Sequence, residues 1–160
     1  MTGGQADRQV QSRPAGGQKV TTKQRVLFLC SHNSARSQMA EGLLRALGGG
    51  SYQVDSAGTE QTSVRSEAIT AMAELEIDIS QHRSKSLDPF VAERFDLVIT
   101  VCDDANEACP IFPNAEQRWH WSIDDPSKVT GSDGERLEAF RRARDELKER
   151  IETEIIHAPL

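Results

Sequence analysis

Near the start of the chain, Cys30, Arg36 and Ser37 stand as C-x5-R-S, with Ser31, His32, Asn33, Ser34 and Ala35 between them. A thiolate is a nucleophile, and an arginine can grip two oxygens of a tetrahedral anion at once. Successive backbone N–H groups in a tight loop make a concavity that binds anions, and a helix starting beside it adds the positive end of its dipole. Residues 30–37 therefore read as an oxyanion cradle whose field favours the thiolate of Cys30. The alternative is a buried cysteine ending a strand and an arginine opening a helix, with no chemistry. Asp124 and Asp125 precede Pro126. An acid there could protonate a departing oxygen held in the cradle, and a plain Asp-Pro turn is the alternative. Cys102 and Cys109 form C-x6-C. Free cysteines are often core residues, but the polar, acidic surroundings argue against burial of both. A metal centre is not expected, because no C-x2-C pair exists and His32, His82, His120 and His157 are scattered.

These groups can act together only if the fold gathers them. Residues 26–29 are a continuous apolar run, as for a strand buried on both faces. A helix pattern over 36–47 puts Met39, Leu43, Leu44 and Leu47 on one face, and Gly48, Gly49 and Gly50 break it. A second strand covers 52–56, ended by Ala57 and Gly58. A second helix covers 63–75, with Ala68, Ile69, Met72 and Leu75 inward, and Ile77 and Ile79 pack after it. A short helix is expected over 89–94, strands over 96–101 and 117–123, and a helical turn or two over 103–108. Trp119 and Trp121 are expected to pack on the sheet. The last helix covers 133–156, with Leu137, Phe140, Ala143, Leu147 and Ile151 on one face. Strands alternating with helices predict an α/β fold: one domain over 24–160, with a four-stranded parallel sheet flanked by helices on both faces. Ligands bind such sheets at the carboxyl ends of the strands, and the polar segments after Leu29, Val101 and Ile123 leave those ends.

Length and charge agree with this. The chain has 160 residues and a net charge of −6, with 37% hydrophobic and 28% charged residues. That suits one globular domain. The first 23 residues carry a net +3 (four Lys/Arg against one Asp), so the rest carries −9. The first 23 are poor in large apolar residues and are expected to be a disordered tail. An acidic body argues against nucleic-acid binding. No run reads as a membrane span or a signal peptide, so a cytoplasmic protein is expected.

The segment from Leu27 to Gly49, with C-x5-R-S inside it, resembles the opening of the low-molecular-weight protein tyrosine phosphatases and of the arsenate reductases that share their fold. Ser56, Ala57 and Gly58 resemble that family's next landmark, and the likeness covers about residues 25–150. The resemblance implies that Asn33 shapes the loop, that Ser37 hydrogen-bonds the thiolate, and that Asp125 is the general acid. The Cys102 and Cys109 pair, and Ser127 and Lys128 where the phosphatases carry aromatic residues, resemble the three-cysteine reductases. That implies reduction of arsenate by a relay. Cys30 attacks arsenate, Cys102 resolves the adduct, Cys109 resolves Cys102, and a dithiol protein such as thioredoxin supplies the electrons, with no bound cofactor. Some members bind potassium near the loop. Asn33 and Glu41 match that site, but Lys85 stands where an oxygen ligand is needed, so potassium activation is not expected. The rival readings are a phosphatase of the same fold and a non-catalytic oxyanion or redox-sensing module.

Overall fold

The computed structural model describes residues 23–103 and 111–157. Apart from Lys23 and Asp103, the expected tail and the expected turn over 103–108 lie outside the described residues, as does Cys109. Four strands, β1 (Gln24–Cys30), β2 (Tyr52–Gly58), β3 (Phe95–Thr100) and β4 (Ala115–His120), form one sheet in the order β2-β1-β3-β4. Every pairing is parallel. Parallel neighbours need long crossovers. These include α1 (Arg36–Gly48) and α2 (Ser66–Ala73), and α3 (Asp133–Arg150) follows β4.

β1 is central, and Val26, Leu27, Phe28 and Leu29 are wholly buried. Alternate residues serve two cores. Val26, Phe28 and Cys30 join Met39, Leu43, Met72, Phe140 and Leu147 under the three long helices. Leu27 and Leu29 join Phe95, Val98 and Phe112 on the other face, where Leu87 and Phe90, at the two ends of a 3-10 turn capped by Leu87 (Asp88–Phe90), close over them. Each such side chain contributes about 1.5–3 kcal/mol on burial, so the strand that ends in Cys30 is the most firmly anchored part of the sheet.

The differences from the sequence reading have local causes. The second helix begins at Ser66 rather than 63 because the preceding residues are tied elsewhere. Thr62 N–H donates to Ser84 Oγ (2.8 Å) and Arg65 N–H to the Ser34 carbonyl (2.9 Å). The helix expected over 89–94 shortens to the 3-10 turn. The Val91 carbonyl accepts from Asn114 and the Arg94 carbonyl from Arg25, so neither closes a helical turn. The second strand runs on through Gly58, the third is one residue earlier than expected, and the fourth ends at His120. Trp121 is nevertheless buried, and Trp119 packs against the same core. Leu47, expected inward, is 36% exposed, and the Tyr52 ring fills the space beside Gly48. The last helix has its expected start, set by a reciprocal cap in which Ser132 Oγ accepts from Glu135 N–H and Glu135 Oε1 accepts from Ser132 N–H. It continues past Arg150 as a π-helical stretch, Ile151–Ile156. No helix among the described residues is long and apolar enough to cross a membrane.

α2 and α3 are clamped by Glu74, which accepts from Arg141 (2.7 Å) and Arg144 (2.8 Å), while Arg144 also donates to the Ala71 carbonyl. The hydrogen bonds from Arg141, then those from Arg144, lower the Glu74 carboxyl from its ordinary 4.5 to about 2. A depressed carboxylate stabilises the fold above its unfolded value, and that contribution is lost as pH falls through its folded value. Glu74→Gln should therefore lower Tm at pH 7, and the gap from the parent should close as pH falls from about 4.5 to about 2, as thermal melts across that range will show.

Candidate active site

Cys30 ends β1, and after five intervening residues α1 begins with Arg36. The thiol is 2% exposed. Its Sγ accepts the Asn33 N–H (3.2 Å) and lies 2.8 Å from Ser37 Oγ. Both are contacts that stabilise a thiolate. The loop is fixed from outside through its carbonyls. Ser31 O accepts from Glu60 N–H and Thr59 Oγ1, His32 O from Thr62 Oγ1 and Ser84 Oγ, and Ser34 O from Arg65 N–H. Every donor comes from the segments that follow β2 and α2.

Asn33 is the pivot. It is wholly buried and adopts a left-handed backbone (φ 51°), which asparagine tolerates better than most residues. Its Nδ2 donates to Ser37 Oγ (2.8 Å) and Ser56 Oγ (3.0 Å), and its Oδ1 accepts from Gln38 Nε2 (2.8 Å) and Lys85 N–H (2.7 Å). Gln38 also reaches the Asn33 and Arg83 carbonyls and lies 3.1 Å from His82 Nδ1. Burial, its largest cause, holds His82 below the usual histidine range. Gly58 lies under the loop. A Cβ there would stand 2.8 Å from Asn33 N, Cys30 O and Ser31 O, all backbone atoms with nowhere to go.

Arg36 is 3% exposed. Its Nη1 donates to the Ile123 carbonyl (2.9 Å), and its Nη2 lies 3.5 Å from Asp125 Oδ2. Asp125 Oδ1 accepts from Ser127 N–H (3.0 Å) and Ser127 Oγ (2.6 Å). The three strand ends thus place Cys30, Arg36 and Asp125 together. A cavity of about 470 Å³ opens there, lined by His32, Ser34, Thr62, Ser63, Arg65, Asp125, Ser127 and Lys128. Asp124 is exposed and does not line it.

Cys102 lies just past β3, and Val101 N–H donates to the Leu29 carbonyl, so Cys102 and Cys30 share one edge of the sheet. Cys102 is wholly buried and disulfide-bonded, whereas Cys30 is a free thiol. Lys85 Nζ stands 3.7 Å from Glu41 Oε1, and Glu41, 4% exposed, also takes Arg45 Nη2 (2.6 Å) and Ser56 Oγ (2.5 Å). An ammonium thus already faces the buried Glu41 carboxylate beside the loop. Among the described residues no group of three or more His, Cys, Asp or Glu could hold a metal ion.

Gln38, Ser56, Ser84 and Thr62 escaped the sequence reading as supports of the loop. Ser56 carries a signal that could have found it: a polar residue where the strand alternation of Val54 calls for a buried one.

The description "Low molecular weight phosphotyrosine protein phosphatase" matches residues 25–156. The chain belongs to this family. Within it, the chain is 44% identical over 131 residues to an arsenate reductase of Halalkalibacterium halodurans, covering 82% of this chain and 94% of that one. It is 45% identical over 130 residues to one of Bacillus licheniformis, covering 81% and 94%. A solved arsenate reductase in a phosphate-binding state superposes with a TM-score of 0.69 at 40% identity, covering 81% of this chain and 94% of that one. The low molecular weight protein tyrosine phosphatase of T. tengcongensis gives 0.66 at 27% identity, covering 85% and 100%.

Gly58→Ala should cripple the cradle. Backbone contacts at 2.8 Å cannot relax without moving Asn33 and Cys30. A loss of at least tenfold in Cys30-dependent turnover and a lower Tm are expected, measured by steady-state assay and thermal melt. Exchanging sodium for potassium at constant ionic strength should change activity less than twofold, because Lys85 already balances Glu41.

Proposed function

We propose that this protein reduces arsenate to arsenite, using three cysteines in series and electrons from a dithiol protein. One observation carries the reading: a free Cys30 in an oxyanion cradle, and a second cysteine, Cys102, that lies just past the neighbouring strand at the same sheet edge and is disulfide-bonded. The named relatives support it.

The Cys30 thiolate attacks arsenic and forms an S–As bond. Asp125 gives its proton to the departing oxygen, which leaves as water. Arg36 and the loop amides balance the charge of the remaining oxygens. The Cys102 thiolate then attacks Cys30 Sγ. The S–As bond breaks, its electron pair stays on arsenic, and arsenic(V) becomes arsenic(III) as a Cys30–Cys102 disulfide forms. Cys109 attacks Cys102 and returns Cys30 to the thiolate, and the Cys102–Cys109 disulfide is left for the external dithiol. Each later step is thiolate exchange at a neighbouring sulfur. Thioredoxin is the proposed donor. A cytoplasmic setting suits the scheme, since cycling thiols require a reducing compartment.

The same Cys30, Arg36 and Asp125 would also hydrolyse a phosphate ester, and weak activity on an aryl phosphate is expected. Among the described residues the cavity before the cradle presents no aromatic ring to hold one.

The function is tested by arsenite release with purified thioredoxin, its reductase and NADPH. Cys30→Ser should lose arsenite release and aryl phosphatase activity together, by at least a thousandfold. Cys102→Ser should keep the phosphatase activity within a few-fold and lose arsenate turnover. Loss of both activities in Cys102→Ser with the fold intact would contradict the division of labour.

A further inference from the structure

Most basic side chains of this acidic protein are matched at short range. Arg25 meets Glu93, Arg36 meets Asp125, Arg45 and Lys85 meet Glu41, and Arg136, Arg141, Arg144, Lys148 and Arg150 each have carboxylate partners. Among the described residues Lys23, Arg65, Arg83, Arg118 and Lys128 meet no carboxylate, and of these Arg65 and Lys128 line the cavity in front of the cradle. Each is also anchored to the catalytic apparatus by one backbone bond. Arg65 N–H donates to the Ser34 carbonyl of the loop (2.9 Å), and Lys128 N–H to the Asp125 carbonyl (3.2 Å). Their backbones are therefore fixed relative to the cradle while their charged ends face solvent.

Among the other groups at this mouth, Asp125 is turned to Arg36 and Ser127, and Glu60, largely exposed, lies 3.6 Å from His32. Ser34, Thr62, Ser63 and Ser127 supply the rest of the wall as hydroxyls. An inorganic oxyanion approaching a chain of net charge −6 meets a general repulsion, so two unmatched cations at the entrance decide how often it reaches the cradle. Fixed charges in a cleft raise the local concentration of a counter-ion and its rate of entry, and salt removes the effect.

We infer that Arg65 and Lys128 form an outer cationic collar that draws small, doubly charged inorganic oxyanions into the Cys30 cradle and sets the affinity for them. The inference rests on the reading of the cradle as an oxyanion site, but not on reduction of arsenate. Neither residue touches the reacting atoms; both are specificity-setting residues at the entrance. The hydroxyl wall lets a hydrated anion shed water in stages.

The test uses Arg65→Gln, Lys128→Gln, the double variant, and the charge-keeping pair Arg65→Lys and Lys128→Arg. The first readout is protection of Cys30 from iodoacetamide by inorganic phosphate, followed by peptide mapping. It needs no turnover. At low ionic strength the double variant should need about three to ten times more phosphate for half-protection. That difference should shrink towards unity near 0.5 M salt, and the charge-keeping variants should stay within twofold of the parent. In the reductase assay, KM for arsenate should rise by a similar factor while kcat holds. Unchanged half-protection in the double variant would overturn the collar. So would a loss that salt does not diminish, or charge-keeping variants as weak as the neutral ones, since those results mark a structural role. Absence of arsenite release in the parent would instead refute the reductase reading and leave the protection result to decide the collar.

Discussion

Asn33 holds the Cys30 loop in shape, and the rest of the active site depends on it. An amide side chain offers two donors and two acceptor positions, and all four are used, on Ser37, Ser56, Gln38 and the backbone of Lys85. Those partners lie on α1, on β2 and on the segment after α2. One side chain thus joins three parts of the chain that meet only in the folded protein, and it does so at a backbone angle few residues accept. The same residue's N–H lands on Cys30 Sγ. The shape of the loop and the state of the nucleophile are therefore set together, and the carbonyl ties to Thr59, Glu60, Thr62, Ser84 and Arg65 keep that shape in place.

Glu41 shows how the fold carries a buried carboxyl group beside the Cys30 loop. A buried carboxylate without partners costs several kcal/mol. Here Arg45, Ser56 and Lys85 surround it. Ser56 bonds both Glu41 and Asn33, so the carboxylate's balance of charge and the loop's geometry share a hinge. Lys85 reaches the same place twice, with its backbone on Asn33 and its ammonium beside Glu41. A tethered cation needs no capture from solution.

Much of this was legible in the sequence because local pattern and chemistry coincide. The apolar run over 26–29 can only be a buried strand, a cysteine follows it, and Arg36 opens a periodic helix, so Cys30 and Arg36 had to share one strand end. Asp125 could be placed because β4 delivers Ile123 to the same edge, where its carbonyl takes Arg36. What stayed hidden depends on distance along the chain. Thr62 and Ser84 are ordinary loop hydroxyls until the fold brings them to the His32 carbonyl. The same tie at Arg65 delays α2 to Ser66, which helix periodicity alone does not reveal. Leu47 fits the helical stripe yet is 36% exposed, which the helical period alone does not reveal.

The central claim is that arsenic is reduced by the two electrons released when the Cys30 and Cys102 thiolates join in a disulfide within one molecule. The most direct measurement is a single turnover of fully reduced Cys109→Ser with excess arsenate and no external thiol, quenched with acid and mapped by peptide mass spectrometry. The expected result is one arsenite released per chain and a Cys30–Cys102 disulfide of equal yield, because the next thiol in the series is missing. Arsenite released without that bridge, or the bridge absent while Cys30 remains arsenylated, would contradict the relay.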